Sequence, residues 1–164
     1  METAVIHASH SKQGFTLIEV LVVIAILGIL LALGFGSYTR WRASSAVMEG
    51  AQQFARDVDR TRTSAKRENA CWRIQPSAST NATTYLIERF TTSTCTGTAV
   101  STQTRTLPRG TQMTSNSTEI NVNFVPPYGT TDASPNEYTV AWTGNTTISR
   151  TIRITSVLGK TVIR

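Results

Sequence analysis

Histidine and cysteine are the scarcest chemically versatile residues in this chain of 164 residues. Both histidines, His7 and His10, lie near the N-terminus, and none follows them. The rest of the chain therefore cannot build a histidine general base, a Ser-His pair or a histidine metal site. The two cysteines are too few to hold zinc without other ligands. We expect no catalytic residue, no cofactor and no metal site.

Acidic residues are also scarce, because 10 aspartates and glutamates face 16 lysines and arginines, which gives a net charge of +6. Such an excess is modest for a nucleic-acid-binding protein. Much of the apolar content lies in one run near the N-terminus, and the remainder is rich in Thr, Ser and Asn. This distribution suits one membrane helix followed by a small β-rich domain outside the cytoplasm.

The apolar run extends from Phe15 to Phe35 and would be roughly 30 Å long as a helix, which matches the hydrocarbon thickness of a bilayer. Glu19 is the one charged residue inside it. A carboxylate in that environment costs about 3 kcal/mol on insertion scales, so it usually has a partner. We therefore expect Glu19 to be functional; the alternative is a tolerated glutamate near the membrane edge.

The residues at the start of this run form a specific motif. A secretory signal peptide has its cleavage site after the apolar region, whereas here the candidate site, Gly14, precedes it. The string Gly-Phe-Thr-Leu-Ile-Glu over residues 14–19 resembles the processing motif of type IV prepilins and type II secretion pseudopilins. The alternative is an ordinary signal anchor that matches this motif by chance.

This resemblance implies a processing and assembly pathway. A prepilin peptidase would cut after Gly14, and the new N-terminal residue, Phe15, would be N-methylated. The helix would stay in the cytoplasmic (inner) membrane as a single pass, with the C-terminal domain outside the cytoplasm. An inner-membrane assembly platform would then move the subunit into a pilus or pseudopilus. There Glu19 would pair with the N-terminal amine of a neighbouring pilin subunit and favour one axial register.

The resemblance also implies a pilin fold of the α+β class, in which a long N-terminal helix packs on a small antiparallel sheet. An amphipathic pattern continues to about Arg67, with one apolar stripe: Val47, Ala51, Phe54, Val58 and Ala65. We predict a leader at 1–14, a membrane and assembly helix at 15–36, the second half of the helix at 37–69 and a β-rich domain at 70–164.

Alternating patterns and turn residues predict seven short strands after the helix. They lie at residues 71–74, 84–90, 99–107, 120–124, 138–142, 147–155 and 160–164, with a long loop at 126–136. Three stretches of this region, residues 107–110, 124–129 and 152–160, contain glycine turns in a fixed order. This order resembles the H-type pseudopilins and FimT-type minor pilins, although the middle motif has one extra residue.

The two cysteines, Cys71 and Cys95, are expected to form a disulfide if the domain is translocated. A cross-link over this loop would stabilise the fold by roughly 3 kcal/mol in the chain-entropy model. The alternative is a pair of buried free thiols.

Four basic residues near the C-terminus have no acidic neighbour in sequence: Arg150, Arg153, Lys160 and Arg164. Arg150 and Arg153 differ in strand parity, so a regular strand would place them on opposite faces. FimT-type pilins that take up DNA use a Gly-Arg-x-Arg stretch on this hairpin, and Gly159-Lys160 matches its start, with Arg164 displaced. We predict a structural filament subunit, with DNA binding as the alternative function, although a merely solvated basic face is the reading that the sequence favours.

Overall fold

A computed structural model of the chain describes residues 14–116, 119–131, 136–155 and 158–164. The predicted leader peptide lies outside the described residues, except for Gly14. The chain divides into two compact units, Met1–Thr39 and Arg40–Arg164. Among the described residues the elements are one helix, α1 (Leu17–Glu68), and nine strands.

The strands form two sheets, and every pair within them is antiparallel. The first sheet has the order β3-β2-β1-β5-β6, and the second has the order β4-β7-β8-β9. Their bounds are β1 (Trp72–Pro76), β2 (Thr84–Arg89), β3 (Ser101–Thr106), β4 (Thr111–Ser115), β5 (Val122–Val125), β6 (Thr130–Thr131), β7 (Asn136–Trp142), β8 (Asn145–Ile154) and β9 (Thr161–Ile163). The expected α+β architecture, a long helix with an antiparallel sheet domain, is confirmed.

The second part of α1 provides the centre of the hydrophobic core. All five residues of the predicted apolar stripe are buried, which confirms the helical period read from the sequence. The ring of Phe54 lies 5.1 Å from that of Tyr85 in the first sheet and 5.0 Å from that of Tyr138 in the second. Helix α1 therefore packs on both sheets at once, and aromatic pairs of this kind add to the stabilisation from buried area.

The helix ends where its backbone changes conformation. Asn69 has a φ of 49°, in the left-handed region that commonly terminates helices and that asparagine tolerates better than most residues. Basic side chains, Lys66 and Arg67, occupy the last turn, where they interact favourably with the negative end of the helix dipole.

The seven predicted strands correspond to β1, β2, β3, β5, β7, β8 and β9. Strand β4 was not predicted, because Thr-Gln-Met-Thr-Ser has a single apolar side chain, Met113, and gives no clear alternating signal. Strand β6 falls inside the segment predicted as a loop at 126–136; it has two residues and pairs only with the end of β5. Residues 132–135 of that predicted loop lie outside the described residues.

Two of the glycine turns noted in the sequence approach other parts of the fold closely. Gly129 has a φ of 61°, and a Cβ there would lie 2.9 Å from the backbone oxygen of Arg62 in α1. Gly159 has a φ of 60°, and a Cβ there would lie 2.8 Å from Cε1 of Phe124. Glycine is required at both turns, because a side chain would be strained by the backbone and would also collide with its neighbour.

Candidate functional site

The N-terminal site begins just outside the helix. Gly14, Phe15 and Thr16 precede α1, and the side chain of Phe15 is 83% exposed. Thr16 is the N-cap, because its Oγ1 accepts a hydrogen bond from the backbone N–H of Glu19 at 3.3 Å. Glu19 thus lies in the first turn of α1, where the positive end of the helix dipole favours a negative charge. The spacing of Thr16 and Glu19 is that of a capping box.

The apolar side chains that follow are exposed on every face of the helix. Between Leu17 and Phe35, every residue whose burial is described is exposed. One 18-residue window of α1 has a mean hydropathy of 2.9, and none of it is buried. Among the described residues, α1 is the one helix whose length and composition would allow it to cross a bilayer. An apolar surface of this extent indicates contact with lipid or with other apolar helices.

The cysteine pair is closed. Cys71 and Cys95 form a disulfide with a Cα–Cα distance of 5.2 Å, so the alternative of free thiols is wrong. Arg73 also contacts the loop that carries Cys95, because its guanidinium donates to the backbone oxygen of Cys95 at 2.5 Å. The same guanidinium donates to Oδ1 of Asn123 in β5 at 2.9 Å. The Arg73 guanidinium also lies 4.8 Å from the centre of the Phe90 ring. The loop that carries Cys95 is therefore held by Arg73 of β1 and, through the disulfide, by Cys71 just before that strand.

The register of the second sheet separates the four C-terminal basic residues. Arg150 pairs with Val140, which is buried, so Arg150 is on the face of β8 that carries the core. Its guanidinium donates to the backbone oxygen of Ser149 at 2.9 Å. Arg153 pairs with Glu137 on the opposite face, as strand parity predicted, and the two form an ion pair at 3.5 Å.

Lys160 and Arg164 lie on the same face as Arg153. Val162 pairs with Arg153 across β8 and β9, and residues two apart along a strand share a face. Both Lys160 and Arg164 are exposed, and the backbone of Arg164 exchanges two hydrogen bonds with Thr151. The structure thus brings three of the four predicted basic residues to one face and leaves Arg150 on the other.

A polar network between α1 and the first sheet was missed in the sequence. Asp57 is charged, but it is only 8% exposed. The hydroxyl of Tyr85 donates to Oδ2 of Asp57 at 2.6 Å, and Nε2 of Gln53 donates to the hydroxyl of Tyr85 at 3.1 Å. The Arg105 guanidinium lies 3.6 Å from the same carboxylate oxygen. Asp57 lies three residues after Phe54 of the apolar stripe, and that spacing, which places neighbours on one side of a helix, was the available signal.

Burial controls the ionisation of two tyrosines in the core. Desolvation raises the pKa of Tyr85 above its ordinary value, and the hydrogen bond to Asp57 raises it further. Desolvation also raises the pKa of Tyr138, with a smaller contribution from the charge of Glu119. In the described part of the chain, no group of three or more His, Cys, Asp or Glu side chains could hold a metal ion.

Comparisons with known proteins match the N-terminal motif and the fold. Residues 9–35 match the family described as the prokaryotic N-terminal methylation motif. A crystal structure of the type IV minor pilin FimU from Pseudomonas aeruginosa aligns with a TM-score of 0.57 at 14% identity, over 72% of this chain and 87% of FimU. A second crystal form of FimU aligns with a TM-score of 0.53 at 14% identity, over 71% and 91%. The chain therefore carries the N-terminal methylation motif of prokaryotic prepilins and has the pilin fold.

Proposed function

We propose that this protein is a minor pilin or pseudopilin, a structural subunit that initiates or caps a type IV pilus or a type II secretion pseudopilus. The observation that carries the proposal is the exposed apolar start of α1, preceded by Gly14 and Phe15 in the methylation motif. A surface that is apolar on all faces needs lipid before assembly and neighbouring helices afterwards. Its function is therefore assembly rather than catalysis.

In this proposal the prepilin peptidase cuts after Gly14, and Phe15 becomes the methylated N-terminus. Residues 15–36 then anchor the subunit in the inner membrane, residues 37–69 complete the helix, and residues 70–164 lie outside the cytoplasm. The partners are other pilin subunits, reached through the N-terminal helix, and the inner-membrane assembly platform. Membership of the H-type subfamily stays a prediction, with which the close approaches at Gly129 and Gly159 are compatible.

Glu19 would favour one axial register of the assembled helices. Its position in the first turn of α1 keeps its carboxylate near the N-terminus, where the amine of an adjacent subunit can neutralise it. Removing this pair should not prevent membrane insertion, since it removes a charge from an apolar helix. It should instead reduce entry into the filament.

The experiment compares Glu19→Ala with wild type in cells that assemble filaments. We expect equal amounts of variant and wild type in the membrane fraction, but roughly tenfold less of the variant in sheared filaments. A tenfold ratio corresponds to an ion pair that contributes about 1.4 kcal/mol to assembly. Glu49→Ala, which changes an exposed glutamate in the second part of α1, is the matched control and should assemble normally. Equal incorporation of Glu19→Ala and wild type would remove the proposed role of Glu19.

A second candidate function is DNA binding by the C-terminal basic face. The exposure of Lys160 and Arg164 on the same face as Arg153 favours it. Contacts from such a face to phosphates would be salt-sensitive and largely independent of sequence. Arg153 contributes less, because Glu137 neutralises part of its charge.

A gel-shift assay on the full chain in nonionic detergent tests this second function. DNA binding is expected to weaken steeply with salt and to disappear in Lys160→Gln/Arg164→Gln. Arg150→Gln is the matched control, because Arg150 lies on the other face of β8 and should not contribute. If wild type does not bind DNA at low salt, the second function is excluded and the filament role is unaffected.

A further inference from the structure

A short segment of α1, residues 40–42, lies between the exposed apolar start of the helix and its buried stripe. Its sequence is Arg-Trp-Arg. Trp41 is 65% exposed, and both arginines are exposed as well. The next residue, Ala43, is only 3% exposed and begins the buried part of the helix. The three side chains therefore lie outside the core, and we call them the interfacial segment.

The charge of the interfacial segment has one sign. No acidic residue occurs between Glu19 and Glu49, and Arg40 and Arg42 are the only basic residues in that interval. Neither arginine forms an ion pair with an acidic side chain in the part of the chain that the structure describes. Membrane proteins usually place their excess of lysine and arginine on the cytoplasmic side. In the proposed orientation both arginines lie on the outer side, so the usual charge distribution does not account for them.

The three side chains surround the helix instead of forming one face. Successive residues of an α-helix are about 100° apart, so Arg40, Trp41 and Arg42 span about 200° of the circumference. A face that docks on another protein would repeat at every third or fourth residue. A planar layer that the helix crosses contacts residues at one level on several sides. The arrangement therefore favours a membrane surface over a protein partner.

The position of the segment along the helix agrees with this. Arg40 comes four residues after Gly36, the last residue of the proposed membrane segment, so residues 40–42 rise about 6–9 Å beyond it. The headgroup layer of a bilayer is about 5–8 Å thick on each side. Tryptophan is enriched at this boundary because its ring is apolar and its N–H is polar. Arginine can extend its guanidinium to lipid phosphates and bind them with two hydrogen bonds.

We propose that the interfacial segment binds the headgroups of anionic phospholipids at the outer surface of the membrane. Arg40 and Arg42 contact the lipid phosphates, and the ring of Trp41 lies where the headgroups meet the hydrocarbon. This inference rests on the proposed function, because it requires residues 15–36 to span the membrane. It adds a partner to that function, since the subunit would select anionic over zwitterionic lipid before it enters a filament.

The test measures the lipid selectivity of the full chain in nanodiscs of phosphatidylcholine. Phosphatidylglycerol and phosphatidylcholine with the same spin label on an acyl chain are introduced separately, and EPR measures the fraction of each that the protein immobilises. Each arginine near an anionic headgroup favours binding by up to about fivefold. We therefore expect a roughly fivefold to twentyfold preference for phosphatidylglycerol at low salt, and a steep decrease of that preference as salt is added.

Two double variants decide which arginines are responsible. Arg40→Gln/Arg42→Gln is expected to bind the two lipids about equally. Arg56→Gln/Arg60→Gln is the matched control, because it removes two exposed arginines from a later part of α1, and it should keep the preference. Thermal unfolding should be the same for both variants and wild type, since all four arginines are exposed.

The depth of Trp41 is measured separately by fluorescence quenching. Its emission is the difference between wild type and Trp41→Phe, recorded in nanodiscs whose lipids carry bromine either near the headgroup or near the end of the acyl chain. We expect stronger quenching by bromine near the headgroup. Stronger quenching by bromine near the chain end would overturn the placement of the segment at the membrane surface.

The outcomes distinguish the failure of this inference from the failure of the proposed function. Equal immobilisation of the two lipids by wild type, or an unchanged preference in Arg40→Gln/Arg42→Gln, would overturn the lipid site and leave the membrane helix in place. Loss of the preference in Arg56→Gln/Arg60→Gln would also overturn it, because net charge would then be responsible. If neither lipid is immobilised, the membrane anchor itself is contradicted and the inference fails with it.

Discussion

The two parts of α1 carry apolar side chains in different arrangements, and they are covered in different ways. From Leu17 to Phe35 apolar residues occupy every face, and those whose burial is described are all exposed. From Ala43 to Ala65 they form one stripe, which the chain's own sheets bury. The same secondary structure therefore meets two environments, and the distribution of apolar residues around the helix decides which one.

This difference separates folding from assembly. The stripe provides the core of the unit Arg40–Arg164, so its side chains should determine stability. The apolar start of α1 is not buried by described residues of its own unit. Its side chains should therefore determine membrane insertion and filament entry instead. Substitutions in the two parts are therefore expected to change different measured quantities.

The largest effect is expected from Phe54→Ala compared with Phe35→Ala. Phe54 is fully buried between Tyr85 and Tyr138, so its truncation should lower the free energy of unfolding by about 3–5 kcal/mol. Phe35 is 72% exposed, and its truncation should change that energy by less than about 0.5 kcal/mol. Denaturant unfolding of the full chain in nonionic detergent measures both. Similar losses for the two variants would break the comparison.

A smaller effect is expected where a turn touches the covered part of α1. In Gly129→Ala the new Cβ would meet the backbone oxygen of Arg62, which the helix holds in place. Gly97→Ala is the control, because Gly97 also has a positive φ but has no atom within 4 Å of its added Cβ. Both variants share the backbone strain, so Gly129→Ala should lower the free energy of unfolding by about 1–3 kcal/mol more than Gly97→Ala does. Equal stabilities in denaturant unfolding would contradict the close approach.

A third effect concerns pH and the contact between Tyr85 and α1. Burial raises the pKa of Tyr85 and of Tyr138 in the folded chain, whereas an unfolded tyrosine ionises near pH 10. Their contribution to stability is therefore complete below about pH 10 and is lost as the pH rises above it. Each should add about 1.4 kcal/mol per pH unit to the decline.

Tyr85→Phe should remove one of these two contributions. Urea unfolding between about pH 10 and pH 11.5 is expected to show a decline that is shallower than in wild type by about 1.4 kcal/mol per pH unit. At neutral pH the variant should also lose about 1–3 kcal/mol, because Asp57 keeps a buried carboxylate without its tyrosine donor. If the free energy of unfolding declines with pH equally in the two proteins, burial does not raise the pKa of Tyr85.

Much of the fold could be predicted because its signals are local. The apolar stripe of α1 and the alternation in β5 and β7 depend on residues close in sequence, and the corresponding elements were found. Strand β4 could not be predicted in this way, because its partner in the sheet, β7, lies more than twenty residues later. Its polar side chains fit the sheet only in that pairing.

The candidate sites also divide into features with a local sequence signal and features that depend on residues distant in sequence. The motif at Gly14–Glu19 is contiguous, so it could be read directly from the sequence. Strand parity alone separated Arg150 from Arg153, but the neutralisation of Arg153 by Glu137 depends on the register of β7 and β8. The cysteine pairing stayed open until the structure placed Cys71 and Cys95 together.

The central claim is that the apolar start of α1 is processed for assembly, and the intact mass of the protein tests it most directly. The chain is purified from membranes of cells with a working prepilin peptidase and from cells that lack the enzyme. We predict a polypeptide beginning at a singly methylated Phe15 in the first case and one that retains residues 1–14 in the second. Retention of residues 1–14 in cells with the working peptidase would contradict it.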